Sequence, residues 1–416
     1  MESENWYKLD NVAKVFLATV SKRDTRSFRL SCTLKENIEP DILQKAVLLA
    51  IEDRPQVQVR IRRGIFWHYL EDTDIMPVVS EEHDRPCPLL YVPARSMLHY
   101  QVTYFGKRIN MEMFHALADG TGGMEFLNII VLHYLKLKYP GKFEDIAIHS
   151  GASSDDLNQD SYRQFFGKPG LARDKGSGKA YHPSGRRLPY DQLQFFEIHM
   201  PVDQILPKAK EMKVSLTSYL GAAWMLAIHN DMPHRRRATP VTISLPVNLR
   251  NYYPSFTARN FFNSVSVTHT FNEEIPLGEL AAEFDAEFKR LLSEENIKKQ
   301  MDRFETMEYA AIVRPVPLAV KQPVVRLVSK AEGKRVSMVL SNMGIQRPPA
   351  SMTEYIESYT GFCSSNNLFS TIFSYNGDLS LGVSSPYKNT GVVKNLVRSL
   401  SGAGIDIRVY ATEVIR

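Results

Sequence analysis

Strand-like and helix-like segments alternate along the whole 416-residue chain. Residues 98–105 and 108–114 show the apolar alternation of two strands around Gly106-Lys107, and residues 124–138 then change to a helical period. The same interleaving of strand and helix patterns recurs in the second half. An order of this kind predicts an α/β chain with mixed sheets flanked by helices.

The length also predicts more than one core, because a chain of 416 residues exceeds what a single hydrophobic core usually supports. Residues 166–190 are rich in Gly, Lys and Arg and poor in aliphatic side chains, which is typical of a crossover linker. We therefore expect an N-terminal lobe at 1–165 and a C-terminal lobe at 191–416. Residues 217–228 are apolar nearly all round and predict a buried helix in the second lobe.

The composition narrows the class of protein. With 44% hydrophobic and 23% charged residues the chain is an ordinary globular protein, and a net charge of +5 is too mild for a dedicated nucleic-acid binder. Cys32, Cys87 and Cys363 are odd in number and widely spaced, which argues against a disulfide framework or a zinc site. No apolar run is long enough to span a membrane, and the first ten residues lack the apolar segment of a signal peptide. We expect a cytoplasmic protein.

A short polar motif lies between the hairpin and the helix that follows it. His115 comes directly after the second strand, and Asp119-Gly120 begins a glycine-rich loop before the helix. A histidine at a strand end can present a general base to a cleft, because its pKa near 6.5 leaves it mostly neutral at pH 7. The alternative is a packed histidine beside an ordinary Asp-Gly helix cap, and the motif alone does not decide between them.

The sequence contains no phosphate-binding P-loop, no dinucleotide-binding GxGxxG after a strand, no HExxH and no GxSxG elbow. Nucleotide-dependent, zinc-protease and hydrolase functions therefore have no support from motifs.

The order helix, hairpin, HxxxDG, helix, crossover and second lobe resembles the chloramphenicol-acetyltransferase-like superfamily over nearly the whole chain. That superfamily includes condensation domains, plant BAHD acyltransferases and alcohol acetyltransferases. Four further stretches match it in the same order, namely Arg54–Arg60, Ser244–Arg250, Arg259–Ser264 and Ser341–Gly344. The resemblance is greatest to bacterial alcohol-acetyltransferase-like proteins.

This sequence differs from the superfamily's patterns at two places, and the differences help to decide which branch it resembles. Condensation domains usually carry two adjacent histidines, whereas Phe114 stands before His115 here. The plant Asp-Phe-Gly-Trp-Gly signature is missing, and Ser341–Gly344 occupies the corresponding late region. The alcohol-acetyltransferase interpretation is therefore favoured over the carrier-protein and plant interpretations.

The resemblance implies an activity and a set of site residues. His115 would be the general base for direct transfer of an acyl group, expected to be acetyl, from CoA to an alcohol acceptor, in a channel between the lobes. The acceptor would be a small alcohol or a lipid-like or glycan-like molecule. Asp119, Gly120 and Arg60 would support the site, with Asp119 paired to Arg60. Candidate oxyanion or substrate contacts are Asn248, Ser341 and Asn342.

Acyl-CoA would be a co-substrate, with no permanently bound cofactor and no metal. Its phosphates need cations, and two basic runs qualify, Lys168–Arg187 and His234–Arg237, although solvated surface charge is the simpler explanation of either. Two other functions stay open at this point. One is condensation with an acyl donor on a carrier protein, and the other is a catalytically degenerate member that binds a ligand.

Overall fold

The computed structural model describes residues 6–93, 95–146, 154–166, 178–183, 185–189, 192–309 and 316–412. Across these ranges, no helix combines the length and the apolar character that crossing a bilayer requires.

The helices within the described ranges are α1 (Asn11–Thr19), α2 (Pro40–Asp53), α3 (Gly120–Lys138), α4 (Ser154–Asn158), α5 (Ser161–Phe165), α6 (Val202–Glu211), α7 (Leu216–Asn230), α8 (Leu277–Leu291), α9 (Glu294–Tyr309), α10 (Leu318–Gly333) and α11 (Gly391–Gly402). The strands are β1 (Trp6–Lys8), β2 (Ser27–Leu34), β3 (Val59–Arg63), β4 (His68–Asp72), β5 (Ser80–Glu81), β6 (Tyr100–Phe105), β7 (Arg108–Phe114), β8 (Gln194–Pro201), β9 (Val241–Asn248), β10 (Phe262–His269), β11 (Met338–Ile345), β12 (Ile356–Cys363), β13 (Leu368–Tyr375), β14 (Asp378–Ser385) and β15 (Arg408–Ala411).

A five-stranded sheet in the order β12-β2-β7-β6-β5 forms the centre of the first lobe. β6 and β7 form the expected hairpin around Gly106, whose φ of +54° is a left-handed conformation that suits glycine. Leu30, Met111 and Ile130 are buried in the core between this sheet and α2 and α3. A separate three-stranded sheet, β1-β4-β3, belongs to the same half of the chain.

A seven-stranded sheet in the order β10-β9-β11-β13-β14-β8-β15 forms the second lobe. β11 runs parallel to both of its neighbours, while the other pairs are antiparallel, so the sheet is mixed. α7 packs into this lobe with Tyr219 and Trp224 fully buried, because its apolar residues cover nearly every side. The expected α/β class with mixed sheets is confirmed.

One strand of the second half of the chain completes the sheet of the first lobe. β12 pairs antiparallel with β2, from Cys363 opposite Phe28 to Ile356 opposite Leu34. It lies against the second-lobe sheet through Gly382, whose Cβ, if present, would be 1.9 Å from the Gly361 carbonyl oxygen. β12 therefore belongs to the sheet of the first lobe, although it lies in the second half of the sequence. The lobe bounds 1–165 and 191–416 stay a prediction.

The segment expected to be a linker is described only in part. Residues 167–177, 184 and 190–191 lie outside the described residues. The short helices α4 and α5 precede them and were not predicted from the polar composition of this region.

Candidate active site

His115 follows the last residue of β7 directly. Its backbone N–H donates to the Arg26 carbonyl oxygen at 2.8 Å, just before β2 begins. Arg26 has a φ of +53°, a left-handed conformation that is uncommon for a residue other than glycine. The side chain of His115 is partly buried and is not sealed from solvent. The sequence prediction of a histidine at a strand end beside a loop is confirmed.

Three aromatic rings surround the imidazole of His115. The ring centroids of Phe16, Phe28 and Phe262 lie 4.4, 5.1 and 5.7 Å from it. Burial among these groups lowers the pKa of His115 below its usual value, although the charge of Asp119 works in the opposite direction. The imidazole is therefore neutral near pH 7, the form in which it can accept a proton.

A chain of polar side chains supports the other side of the imidazole. His115 Nδ1 lies 3.1 Å from Asn260 Oδ1, and Asn260 Nδ2 donates to Asp10 Oδ2 at 3.0 Å. Asp10 is the N-cap of α1, and its Oδ1 accepts from the Ala13 backbone N–H at 2.7 Å. Sequence reasoning did not single out Asp10. It placed Asn260 only within a stretch that matches the superfamily.

Asp119 points away from the imidazole side of the loop and into a buried ion pair. Its Oδ1 caps α3 by accepting from the Gly122 N–H at 3.0 Å. Its Oδ2 accepts from Arg250 Nη1 at 2.7 Å and from the Phe261 N–H at 2.9 Å. The carboxylate therefore joins the HxxxDG loop to the second lobe.

The predicted pairing of Asp119 with Arg60 is wrong. Arg60 on β3 lies opposite Glu71 on β4, and its Nε donates to Glu71 Oε2 at 2.6 Å. A cross-strand neighbour of opposite charge is the nearest partner for a side chain on this sheet. Arg250, which takes the place expected of Arg60, belongs to the Ser244–Arg250 stretch that matches the superfamily.

Arg250 also holds the segment that faces the first turn of α3, where the sequence predicts a glycine-rich loop. Its Nη2 donates to the carbonyl oxygens of Thr257 and Arg259, both at 2.8 Å. This places the Ala258 carbonyl oxygen only 2.2 Å from where a Cβ on Gly122 would lie. A glycine is therefore required at this position by close backbone approach. Gly120, the other predicted support residue, faces the end of the Met343 side chain.

The three candidate oxyanion or substrate residues lie on two strands of the second lobe. Asn248, at the end of β9, donates to Thr121 Oγ1 at 3.2 Å and so contacts the first turn of α3, directly after the HxxxDG motif. On β11, Asn342 is exposed and donates to Thr217 Oγ1 at 2.8 Å, and Ser341 is partly buried. Because Met343 reaches Gly120, this part of β11 also lies near the loop. Their catalytic roles stay predictions.

The two basic runs meet at one surface. Arg187 lies 5.0 Å from the ring of Tyr387, and Arg236 lies 5.9 Å from the ring of Tyr181. Burial lowers the pKa of His182, and the positive charges of Arg187 and Arg236 lower it further. We call the area around Arg187, His182 and Arg236 the basic surface. Arg173 and Lys175 of the first run lie outside the described residues.

The loop 364–367 connects the basic surface to the neighbourhood of His115. Asn367 contacts His182. Asn366 Nδ2 donates to Asp24 Oδ2 at 3.2 Å, and Asp24 lies in the loop whose carbonyl oxygen accepts from the His115 backbone. Three successive contacts therefore connect the basic surface to the backbone of His115.

A recess of the protein lies behind the HxxxDG loop, and its lining includes Arg54, Gln56, Leu117, Gly122 and Arg259. Arg54 and Glu125, which form an ion pair with Nη2 and Oε1 2.6 Å apart, both line it. Among the described side chains, no group of three or more His, Cys, Asp or Glu is arranged to hold a metal ion.

Comparison by sequence gives no match, since no family model and no curated protein matches the chain. Comparison of structures gives many. Polyketide synthase associated protein 5 from Mycobacterium tuberculosis is 14% identical, with a TM-score of 0.61 over 95% of this chain and 97% of that one. The trichothecene 15-O-acetyltransferase TRI3 from Fusarium sporotrichioides is 10% identical, with a TM-score of 0.62 over 95% and 94%.

The starter condensation domain of rhizomide synthetase, solved with C8-CoA and Leu-SNAC, is 11% identical, with a TM-score of 0.59 over 96% of this chain and 93% of that one. The chain therefore has the chloramphenicol-acetyltransferase-like fold of condensation domains and trichothecene acetyltransferases, as the sequence resemblance implied.

Proposed function

We propose that this chain is an acyltransferase that moves an acyl group from CoA to the hydroxyl of an alcohol acceptor. The observation that carries the proposal is the neutral, partly exposed imidazole of His115, held at a loop that joins two lobes of this fold. TRI3 is described as an O-acetyltransferase, and TRI101 from Fusarium sporotrichioides was solved in complex with coenzyme A and T-2, so a protein of the same fold binds CoA together with a second small molecule.

The proposed reaction is direct transfer. Neutral His115 accepts the proton of the acceptor hydroxyl while its oxygen attacks the thioester carbonyl carbon. The tetrahedral intermediate then loses the CoA thiolate as the carbon–sulfur bond breaks. The imidazolium returns its proton to that sulfur, so the products are an ester and free CoA. A positioned base contributes roughly 10²–10⁴-fold to such a rate.

The negative oxygen of the intermediate needs fixed donors, and removal of one donor typically costs about 10²–10³-fold in rate. Asn248 is our first candidate, because its amide nitrogen reaches Thr121, directly after the HxxxDG motif. Ser341 and Asn342 on β11 are further candidates for the oxyanion or the acceptor.

We propose that the basic surface binds the phosphates of CoA. Arginines pair with phosphate oxygens through two parallel hydrogen bonds, which makes the exposed Arg236 and the partly buried Arg187 suitable for this anion. The three cysteines are buried and free, which agrees with the reducing cytoplasm that we expect for an enzyme using CoA.

The test is an assay of thiol release. Purified protein would be incubated with acetyl-CoA or octanoyl-CoA and a panel of small, lipid-like and glycan-like alcohols, with product ester measured by mass spectrometry. We expect stoichiometric CoA and ester, reduced at least 10²-fold in His115→Gln. Release that His115→Gln does not reduce, or none above hydrolysis with any acceptor, would contradict the proposal.

A second candidate is condensation with a carrier-protein donor. The observation in its favour is that a starter condensation domain of the same fold was solved with both C8-CoA and the aminoacyl thioester Leu-SNAC. An amine acceptor such as Leu-SNAC, added to the same assay, would give an amide product if this function holds. A catalytically degenerate ligand binder would bind CoA thioesters, as measured by calorimetry, and give neither product.

A further inference from the structure

The contacts between Asp10, Asn260 and His115 connect three distant parts of the chain. Asp10 precedes α1, His115 follows β7, and Asn260 precedes β10. Asp10 and Asn260 are 3% and 1% exposed, so water does not compete for their hydrogen bonds. Buried polar groups of this kind keep fixed orientations, because an unpaired donor or acceptor would be costly.

We propose that Asp10 and Asn260 are positioning residues that hold the His115 imidazole with its proton on Nδ1 and its lone pair on Nε2. This inference rests on the proposed role of His115 as the general base. A carboxylate only accepts hydrogen bonds, so Asp10 binds the amide nitrogen of Asn260. The amide oxygen then faces the imidazole and requires a proton on Nδ1. Nε2 is left as the basic nitrogen.

A protonated Asp10 would reverse this arrangement. A carboxylic acid whose O–H faces Asn260 donates to the amide oxygen, and the amide then turns its nitrogen toward His115 Nδ1. That nitrogen can donate only to an unprotonated Nδ1, so the ring proton moves to Nε2 and the base is lost. The imidazole also contacts the backbone of His115 itself, which raises its pKa in part.

The protonation of Asp10 therefore sets the lower pH limit of the activity. Burial raises the pKa of Asp10 to about 7, whereas burial lowers the pKa of His115. As the pH falls, Asp10 gains its proton before His115 does, and kcat/KM falls below pH 7. The charged and titratable groups that act on this pair are Asp160, Arg259 and Tyr162 around Asp10, and Asp119 and Arg26 around His115.

Asp10→Asn is the decisive variant. An asparagine keeps the cap of α1, because its oxygen accepts from the Ala13 N–H, and its nitrogen then donates to Asn260 as the protonated acid would. We expect kcat to fall by roughly 10²–10⁴-fold with little change in KM, as for a histidine held in the wrong tautomer.

The double variant Asp10→Asn/Asn260→Asp tests the orientation directly. The carboxylate introduced at position 260 accepts from both His115 and the amide introduced at position 10, which restores the proton to Nδ1. We expect at least a tenfold recovery of kcat over Asp10→Asn. The matched control is Asp231→Asn, because Asp231 also accepts from an asparagine side chain, Asn389, but in the second lobe. It should leave kcat unchanged.

The readout that does not need activity is the ¹⁵N chemical shift of the His115 ring, assigned by its absence in His115→Gln. We expect a protonated Nδ1 in the wild type, a protonated Nε2 in Asp10→Asn and a return to Nδ1 in the double variant. A ring that keeps one tautomer in all three proteins, or carries its proton on Nε2 in the wild type, overturns the inference. If the tautomer changes as expected but no variant transfers an acyl group, the proposed function fails and the positioning role stands.

Discussion

At the scale of single residues, the HxxxDG loop depends on a buried ion pair that comes from two lobes. Asp119 and Arg250 have side chains that are 6% and 13% exposed, so the pair is shielded from salt and water. Breaking a buried pair from one side leaves the other charge without a partner, which is more costly than losing an exposed pair. The fold and the shape of the loop therefore depend on the same contact.

Asp119→Ala is expected to lower the free energy of unfolding by about 3–5 kcal/mol. Chemical denaturation monitored by tryptophan fluorescence would measure it. The effect of the double variant Asp119→Ala/Arg250→Ala should be much less than the sum of the single effects, because both remove one interaction.

The control for this prediction is Glu287→Ala, which removes an exposed pair with Arg290. It should change stability by less than about 1 kcal/mol. Additive effects of Asp119→Ala and Arg250→Ala would show that the pair does not act as a unit.

At the scale of elements, the entry to α3 is shaped by close backbone packing. Gly122 lies in the first turn of α3, under the 257–259 segment that Arg250 holds. In an ordinary helix a glycine is destabilising relative to alanine by up to about 1 kcal/mol. At Gly122, however, the absence of a side chain allows the first turn of α3 and the 257–259 segment to pack together.

Gly122→Ala is therefore expected to destabilise the protein by about 1–3 kcal/mol despite the better helix propensity of alanine. Thermal unfolding with circular dichroism would measure the change. Gly278→Ala in the first turn of α8 is the matched variant, since a Cβ there would meet only Met212 at 3.9 Å. It should be neutral or stabilising, and equal effects of the two substitutions would disprove the packing argument.

At the scale of the whole molecule, a network of charged side chains joins the two large sheets. Arg108 on β7 donates to both carboxylate oxygens of Glu197 on β8 at 2.8 Å. His199 lies between Glu197 and Asp378, at 2.8 and 2.6 Å. Burial opposes the charged form of His199, but these two carboxylates outweigh it and raise its pKa to about 9.

The pKa of His199 predicts how stability changes with pH. A folded-state pKa above the usual 6.5 means that the contribution is complete below pH 6.5 and is lost as the pH rises through about 9. The loss is on the order of 3 kcal/mol. Denaturation at a series of pH values should show this decline in the wild type and a much flatter curve in His199→Gln. The exposed His83→Gln should keep the decline, and a flat wild-type curve would contradict the prediction.

The basic surface gives a prediction about the donor. Arg187→Ala and Arg236→Ala should each raise KM for acetyl-CoA roughly tenfold at low salt, because a charge-assisted contact with a phosphate is lost. The same substitutions should not change KM for an N-acetylcysteamine thioester, which has no phosphates. Exposed Arg290→Ala is the control for loss of charge alone. Equal changes with both donors would show that the surface does not bind CoA phosphates.

Local patterns in the sequence predicted the elements that carry His115. The hairpin of β6 and β7, the N-cap at Asp119 and the buried α7 all depend on periods and turn residues that lie within about twenty positions. These features are local, so the sequence was sufficient to find them.

The partners of the site residues could not be predicted in the same way. Asn260 is 250 positions from Asp10, and the choice of Arg250 over Arg60 depends on which strands become neighbours. β12 was missed because its partner β2 lies more than 300 residues earlier. α10 was also missed, since four of its apolar side chains, Val320, Val324, Leu327 and Val328, are exposed and its period was not recognised as that of a packed helix.

The position of β12 affects how the protein is made. The ribosome synthesises β2, β6 and β7 long before residue 363. The Phe28–Leu34 edge of the first sheet therefore has no strand partner while some three hundred residues are added. During that time it can pair with any extended segment, including β12 of another newly made copy. Fragments that end before β12 should therefore aggregate, and a β12 peptide supplied in trans should make them more soluble.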